Sequence, residues 1–349
     1  MKMNLRKIGM LAMVITDMAS CKKDTPTPTP IRELGDVVHS MSIAGDNGYI
    51  MVNGSSKIEV VSVGVSSYSN GYFVTNEGNF GTGNGSISFV TSEGTVENNV
   101  FASMHHVATI EGLSSPRYMA KVSGSKAYVT DWGINGVQVI DLTTNTISPT
   151  ITCGTGPEGI AVSNGCFAYV CNVGGWGLDN TVSVIDVATD AVVTTLTVGD
   201  KPNSVQVDVN GAVWVLTGGY TEYDAAWNVV SETAGNLVKI VGNTIEATYA
   251  FAVGNHPEDL VINDAGTTLY YSDGSWTKAV YSFQISDTDL SSTPVINKSF
   301  YGLGSANGYI YGTDAVDYTQ QGWSFRYTEN GSLVDSVQVG VIPGGYCFN

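Results

Sequence analysis

The stretch G-P-E-G-I-A-V begins at Gly156, and variants of it recur along the chain. In each copy a proline is followed within a few residues by a short, mostly apolar run. The other copies are S-P-R-Y-M-A-K-V at Ser115, K-P-N-S-V-Q-V at Lys201, H-P-E-D-L-V-I at His256 and I-P-G-G-Y-C-F at Ile342. Successive prolines are 41, 45, 55 and 86 residues apart, and the last interval fits two units with a degenerate turn near Gly302. Repeats of about 45 residues with several short strands are typical of β-propellers.

The unit at 157–199 contains four predicted strands. They are G-I-A-V at 159–162, F-A-Y-V-C-N at 167–172, T-V-S-V-I-D-V at 181–187 and V-V-T-T-L-T-V at 192–198. Four antiparallel strands make one propeller blade. Because antiparallel strands alternate in direction, the turn before strand one and the loop between strands two and three share a side. We expect the functional groups on that side.

The C-terminal segment 343–349 has the pattern of an innermost strand and then stops. Segment 72–102 supplies three strands without an innermost one, and segment 37–63 supplies three more, for which V-A-T-I-E-G-L at Val107 offers the fourth. The prediction is an all-β, seven-bladed β-propeller closed by mixing N- and C-terminal strands in one blade. Such closure removes an exposed sheet edge.

Composition restricts the partners. The 349 residues include 41 glycines, only 13% are charged, and the net charge is −17. An acidic surface repels phosphate backbones, so we expect no nucleic-acid partner. We also expect a monomer, without cofactor or bound metal.

The N-terminus is predicted to be a lipoprotein signal segment, residues 1–21. Basic residues precede the apolar run Ile8–Ile15, and M-A-S-C ends at Cys21, the expected lipidation site. A secretory signal with an incidental cysteine is the alternative. Residues 22–35 form a Pro/Thr linker and 36–349 a single propeller domain. The remaining cysteines are expected to be buried free thiols, and the membrane is expected to be contacted only through the lipid.

Several motifs resemble the YncE-like seven-bladed surface lipoproteins of Bacteroidota. They are N-E-G-N-F at Asn76, S-P-R-Y at Ser115, D-A-V-D-Y-T-Q-Q-G at Asp314 and V-G-V-I-P-G-G-Y-C-F-N at Val339. The resemblance covers about 310 residues. It implies a lipid-anchored propeller, and some members, the BtuG type, capture cobalamin for a TonB-dependent transporter.

The order of the first two blades departs from that family, in which N-E-G-N-F precedes L-G-D-V-V-H-S-M. Here the segment Leu34–Val63 comes first, and Tyr72–Ala102 is inserted between the third and fourth strands of its blade. Either the chain leaves one blade, builds its neighbour and returns, or the sequence contains an assembly fault.

Aromatic residues are concentrated on the predicted functional side. Trp132, Trp176, Trp227 and Trp276 fall in the loops between strands two and three of four successive units. Flat rings among hydrogen-bonding groups suit a large planar or saccharide ligand, although propeller tryptophans also pack between blades. The full candidate ligand-binding set is Arg117, Tyr118, Asp131, Trp132, Glu158, Trp176, Asn203, Tyr223, Trp227, Glu258, Trp276, Asp314, Asp317 and Tyr318.

Catalytic signatures are absent from the sequence. It has no G-x-S-x-G and no H-E-x-x-H, and His256 is predicted to be a solvated turn residue. We therefore expect a non-enzymatic binding protein, with no catalytic residue.

The leading hypothesis is capture of a corrinoid nutrient for a TonB-dependent transporter, at the outer membrane or cell surface. A periplasm-facing position stays open. The alternatives are a glycan-binding or structural surface-layer propeller, or a propeller lyase or lactonase.

Overall fold

The outermost strand of the typical unit shows why this sequence forms a sheet edge. In Ala191–Thr197 the exposed and half-buried residues alternate, whereas the middle strand Phe167–Asn172 is buried on both faces. Alternation of period two places one face of a strand against its neighbour and the other in water. A strand buried on both faces is expected where blades stack face to face.

The computed structural model describes residues 33–64, 68, 70–79, 81–175, 178–274 and 279–348. Within these ranges the strands, numbered in chain order, are β1 (Val38–Ala44), β2 (Asn47–Val52), β3 (Lys57–Ser62), β4 (Gly71–Asn76), β5 (Ser86–Thr91), β6 (Val96–Glu97), β7 (His106–Ile110), β8 (Pro116–Lys121), β9 (Lys126–Asp131), β10 (Gly136–Asp141), β11 (Thr146–Ile147), β12 (Ile151–Thr152), β13 (Pro157–Ser163), β14 (Phe167–Asn172), β15 (Thr181–Asp186), β16 (Ala191–Thr197), β17 (Pro202–Val207), β18 (Val213–Thr217), β19 (Thr221–Tyr223), β20 (Val229–Glu232), β21 (Asn236–Val241), β22 (Thr244–Ala250), β23 (Glu258–Ile262), β24 (Thr268–Ser272), β25 (Val280–Gln284), β26 (Gly302–Ala306), β27 (Tyr309–Asp314), β28 (Gln321–Thr328), β29 (Leu333–Val341) and β30 (Pro343–Phe348). Single 3₁₀ turns are described at Asn53–Ser55, Val100–Ala102 and Trp132–Ile134.

The strands form seven antiparallel blades, which we number around the ring. They are blade 1 (β1-β2-β3-β7), blade 2 (β8-β9-β10 with β11 and β12), blade 3 (β13 to β16), blade 4 (β17-β18-β21-β22), blade 5 (β23-β24-β25), blade 6 (β26 to β29) and blade 7 (β30-β4-β5-β6). Each innermost strand contacts the next, and β30 contacts both β26 and β1. The predicted all-β, seven-bladed propeller is therefore confirmed.

Blade 7 closes the ring with strands from both halves of the chain. The C-terminal β30 pairs with β4, with Tyr346 opposite Val74. The structure has the unusual strand order that the sequence indicated. The chain forms three strands of blade 1, then three strands of blade 7, and returns to blade 1 as β7, which pairs with β3.

Two blades differ locally from the predicted pattern. The outer strand of blade 2 is split into β11 and β12, because Pro149 has no backbone N–H for the ladder. Blade 5 pairs only three named strands, and an isolated bridge joins Val280 to Ile296. Of the cysteines within the described residues, Cys171 and Cys347 are buried free thiols as predicted, but Cys153 is half-buried and Cys166 is exposed.

Candidate functional site

Six of the seven innermost strands carry a β-bulge directly after their first residue. In blade 2 the pairing steps from Pro116–Asp131 to Met119–Val129, so the inner strand has one more residue than its partner. Blades 1, 3, 4, 5 and 7 show the same irregularity. A bulge turns side chains away from their regular direction. The residues between the paired positions are His39, Arg117, Tyr118, Glu158, Gly159, Asn203, Asp259, Leu260 and Gly344.

All nine of those residues line one cavity of about 900 Å³ at this end of the inner strands. The loops between second and third strands complete its wall with Glu77, Trp132, Val173 and part of 218–223. The volume lies at the upper end of the range for small-molecule sites. The repeat that defines the fold thus also places side chains around the cavity.

A buried ion cluster lies in the cavity wall between blades 1, 2 and 3. Arg117 donates hydrogen bonds to the Glu158 carboxylate, with Nε 3.1 Å from both oxygens and Nη2 3.0 Å from Oε1. His39 Nε2 lies 3.3 Å from the same Oε1, within ion-pair distance but outside hydrogen-bond geometry. Burial disfavours ionisation of Glu158, but Arg117 and His39 outweigh it and hold the pKa of that carboxyl below its usual range. Glu158 is therefore an anion that fixes two neighbouring side chains.

Aromatic rings surround this cluster. The Arg117 guanidinium lies 4.3 Å from the centroid of the Trp132 ring, a cation–π contact. Tyr118 meets His39 edge-on at 4.8 Å between centroids, and it keeps 39% of its surface exposed because it borders the cavity. On blade 4, Lys201 Nζ lies 5.6 Å from the Tyr220 ring. Flat faces therefore alternate with hydrogen-bonding groups around the wall.

The opposite side of the cavity is acidic. The Tyr301 hydroxyl donates to Glu77 Oε2 at 3.0 Å. Burial, and after it the nearby Glu77 carboxylate, raise the pKa of Tyr301, so its phenol stays protonated. Glu258 and Asp259 of blade 5 line the same side. This side of the cavity disfavours an anionic ligand.

The hairpin β19–β20 projects from blade 4 at the edge of the cavity. His256 ties its base to blade 5, with Nδ1 2.7 Å from the Gly218 carbonyl oxygen and Nε2 2.9 Å from Thr221 Oγ1. Since a carbonyl only accepts, Nδ1 carries the proton. Nε2 also lies 3.3 Å from Glu232 Oε1. His256 lies in the loop before β23 with 35% of its side chain exposed, as predicted for a turn residue, but it also lines the cavity and holds the hairpin.

Two aromatic residues occupy the far end of the hairpin. Tyr223 and Trp227 have ring centroids 6.1 Å apart, and Trp227 is 82% exposed. The turn is fixed by Asp224 Oδ1, which accepts from the backbone N–H groups of Ala226 and Asn228. Tyr223 lines the cavity, whereas Trp227 points its surface into solvent.

Three further predicted residues lie beside the central cavity rather than around it. Asp314 and Tyr318 line a second cavity of about 490 Å³, together with Lys298. Asp317 is exposed and lines neither cavity; its Oδ1 accepts from the backbone N–H groups of Thr319 and Gln320 and so caps a turn.

Asp131, which was among the candidate ligand-binding residues, does not reach the cavity. It is fully buried, and its carboxylate accepts from the backbone N–H groups of Ser114 and Ser115 at 2.8 and 2.7 Å. Gly133 N–H donates to the same group at 3.0 Å. Asp131 thus holds the turn that precedes β8 and presents no surface to a ligand. Cys21, Trp176 and Trp276 lie outside the described residues.

Several cavity residues were missed by the sequence analysis. His39 follows a valine pair rather than a proline, so the turn motif did not identify it. Lys201 precedes the proline of its copy, whereas the turn motif points to the residue after the proline, Asn203. Tyr301 precedes the degenerate turn at Gly302, where the repeat is weakest.

The described ranges contain neither a candidate metal-binding cluster nor a membrane-spanning helix. There, no three His, Cys, Asp or Glu side chains come together as a metal site would need. No helix in the same part of the chain combines the length and apolar character needed to cross a membrane.

No family model matches the chain. The PE-PGRS family protein PE_PGRS18 of Mycobacterium tuberculosis is 46% identical over 55 residues, which is 16% of this chain and 12% of that protein. The match thus spans only a small part of that relative. Among solved structures, hydrazine synthase of Kuenenia stuttgartiensis has a TM-score of 0.58 at 13% identity, covering 93% of this chain and 92% of that one. U3-55K has a TM-score of 0.56 at 12% identity, covering 89% and 84%. At such identities these likenesses show the propeller fold alone.

Proposed function

We propose that this protein is a non-enzymatic binding protein whose central cavity captures a corrinoid nutrient. The observation that carries the proposal is the cavity of about 900 Å³, walled by aromatic rings and by hydrogen-bonding side chains. The motif resemblance to YncE-like lipoproteins of Bacteroidota, some of which capture cobalamin, supports the choice of ligand.

The wall chemistry suits a planar macrocycle with amide arms. Tyr118 and Tyr220 offer ring surfaces, while Asn203 and Gln206 offer amides. Asn203 Nδ2 donates to the Pro257 carbonyl at 3.0 Å, and Gln206 Nε2 donates to the Leu260 carbonyl at 2.9 Å. These bonds orient both amides before a ligand arrives, which lowers the entropic cost of binding. An amide arm can donate to their oxygens or accept from the second N–H of each.

The cellular part of the proposal rests on the sequence. Cys21 would carry the lipid, residues 22–35 would tether the propeller, and a TonB-dependent transporter would receive the ligand at the outer membrane or cell surface. A periplasm-facing propeller would use the same cavity.

An enzyme is the second candidate, because the cavity brings a histidine beside a carboxylate. His39 and Glu158 lie 3.3 Å apart in its wall. However, a general base works best when its pKa is near the working pH, and Arg117 holds that of Glu158 low. Glu158 therefore remains a weak base with its oxygens already bonded. This arrangement favours binding over catalysis.

A glycan-binding propeller is the third candidate. It is favoured by the exposed ring of Trp227, which lies 6.1 Å from Tyr223 on the hairpin. Retention on a polysaccharide column that Trp227→Ala weakens would support it.

The corrinoid proposal is tested by titrating the purified protein with cyanocobalamin and with cobinamide while following tryptophan fluorescence. We expect quenching with a Kd on the order of 1 µM or tighter, equivalent to about −8 kcal/mol. Tyr118→Leu removes a flat face worth about 0.5–1.5 kcal/mol, so affinity should fall roughly two- to tenfold. Val193→Ala, on the exposed outer strand of blade 3, is the matched control and should bind normally.

Two results would decide against the proposal. A flat titration with both corrinoids up to about 10 µM would remove the ligand class. Recovery of a chemically altered corrinoid after incubation would instead favour the enzyme, since a binding protein returns its ligand unchanged.

A further inference from the structure

The second cavity adjoins the central one across a shared wall. Its volume is about 490 Å³, and Tyr301 and Glu258 line both cavities. This volume lies within the range of small-molecule sites and exceeds what one ordered water occupies by more than tenfold. The cavity is therefore large enough for a chemical group the size of a sugar with an attached ring.

Tyr301 lies in the wall between the two cavities, and contacts on both sides fix its side chain. Its hydroxyl donates to Glu77 on the side of the central cavity. Its ring meets the ring of Tyr318 edge-on, with centroids 5.7 Å apart, on the side of the second cavity. A ligand that passes along Tyr301 would touch both cavities without any displacement of the backbone.

The second cavity has a pre-positioned donor and acceptor. Lys298 Nζ donates to Asp314 Oδ2 at 2.9 Å and lies 4.7 Å from the Phe325 ring and 5.7 Å from the Phe300 ring. An ammonium has three N–H donors, so a ligand can take others without breaking this ion pair. Burial disfavours ionisation of Asp314, but Lys298 and the Val316 N–H outweigh it and lower the pKa of its carboxyl. Asp314 is thus an ionised acceptor at neutral pH.

Tyr318 supplies a flat surface at the same place. The residue is 53% exposed, and its backbone is held in the left-handed region, φ 62°, by hydrogen bonds at both ends. Its N–H donates to the Ala315 carbonyl at 2.9 Å, and its carbonyl accepts from Asn79 Nδ2 at 2.6 Å. The ring is therefore positioned by neighbouring blades 6 and 7 and keeps a free face.

These groups define the chemistry that fits. A carboxylate and an ammonium beside an exposed ring suit hydroxyl groups on a sugar, which donate to one, accept from the other and stack on the third. Among the described residues that line this cavity, the two carboxylates of Asp314 and Glu258 face one cation, Lys298, and this balance disfavours a dianionic phosphate. An alkyl group would make no hydrogen bond to the half-buried pair of Lys298 and Asp314.

We propose that the second cavity binds a hydroxylated sugar arm of the ligand whose body lies in the central cavity. This inference rests on the proposed function. The ligand class that it names is a large planar body with a ribose-like appendage. The same hydroxyl chemistry could be offered by a free saccharide, and the experiment separates the two sources.

The experiment compares cyanocobalamin with cobinamide, which share the corrin ring but of which only cyanocobalamin carries a ribose-bearing arm. We expect the protein to bind cyanocobalamin about tenfold tighter, as one or two net hydrogen bonds would give. Asp314→Asn and Tyr318→Ala should each reduce that ratio towards one while leaving cobinamide affinity within about twofold. Tyr318→Ala removes an exposed side chain, so it keeps the test valid should Asp314→Asn unfold. Tyr118→Leu is the matched control in the central cavity and should weaken both ligands equally.

Each outcome has a distinct meaning. Equal affinity for both corrinoids, unchanged by Asp314→Asn and Tyr318→Ala, would overturn the second-cavity inference and keep the proposed function. Equal weakening of both corrinoids by those variants would also overturn it, because the two cavities would then act as one. Absence of corrinoid binding together with saccharide binding that Asp314→Asn abolishes would overturn the proposed function and keep the hydroxyl specificity of the second cavity.

Discussion

The ion cluster in the cavity wall gives the sharpest prediction about stability. Arg117→Met would remove three hydrogen bonds of 3.0–3.1 Å and leave the Glu158 carboxylate, 8% exposed, without its guanidinium. Breaking one partner of a buried ion pair typically costs about 3–5 kcal/mol. At about 2 °C per kcal/mol for a domain of this size, the melting temperature should fall by about 6–10 °C.

Two companion variants separate the buried charge from the lost packing. Replacing both partners, Arg117→Met with Glu158→Met, removes the unpaired charge and should recover most of the loss, since apolar replacement of buried pairs is often neutral. Lys239→Met breaks an ion pair with Glu246, which is 52% exposed, and should cost less than about 1 kcal/mol. These melting temperatures are measured by circular dichroism at pH 7.

The pH dependence of this stability difference follows from the direction in which the pKa of Glu158 is shifted. In the folded protein the pKa of Glu158 is lowered from its usual 4.5, so the pair contributes stability above pH 4.5 that is lost as the pH falls through the lower folded value. In Arg117→Met, burial would instead raise that pKa and the carboxyl would protonate sooner. The difference in melting temperature should therefore begin to narrow above pH 4.5, as Glu158 of the variant protonates, and should keep narrowing as the pH falls through the lowered folded pKa of the unsubstituted protein. A difference equal at pH 7 and pH 4, or a double variant no more stable than Arg117→Met, would refute this account.

Two further predictions concern the blades. Gly302→Ala places a Cβ 2.0 Å from the Gly344 carbonyl oxygen at the closing seam, so it should lower the melting temperature by several degrees, whereas Gly124→Ala, in open space, should not. Trp214→Phe removes the 2.9 Å bond from Nε1 to the buried Asp208 carboxylate, and a urea titration should show a loss of about 1–3 kcal/mol; an unchanged midpoint would contradict that role for the bond.

The blade count and ring closure could be predicted because they depend on local patterns. A proline turn followed by an apolar run indicates where an inner strand begins. The three strands predicted at 72–102 lack an inner strand, and this indicates that the C-terminal strand pairs with them. The unusual order of blades 1 and 7 was visible for the same reason. The outer strands of blades 2 and 5 depart from the four-strand unit, and in blade 2 the cause is Pro149, which interrupts a largely β-branched run.

The cavity residues that directly follow a proline turn could be predicted from the sequence, and those without a preceding proline could not. Arg117, Glu158 and Asn203 stand directly after prolines, and the bulge carries them into the cavity. A bulge is a property of pairing between strands, so one strand's sequence does not reveal it. His39 has an equivalent bulge without a proline. Asp131 precedes Trp132 in the sequence, but its carboxylate accepts from the backbone N–H groups of Ser114 and Ser115, which only the fold brings near.

The path of the chain from blade 1 into blade 7 and back links ring closure to the central cavity. Asp36, at the entry to blade 1, accepts from the backbone N–H groups of Gly81 and Gly83 in the blade 7 loop. Val38 N–H donates to the Glu77 carbonyl at 3.3 Å, so the same loop that presents the Glu77 carboxylate also holds the first inner strand. The C-terminal strand β30, which belongs to the same blade as that loop, also contacts the first inner strand. The seam between the two ends of the propeller therefore fixes His39 and Glu77 in the cavity wall, and a change that loosens the seam should weaken binding before it unfolds the remaining blades.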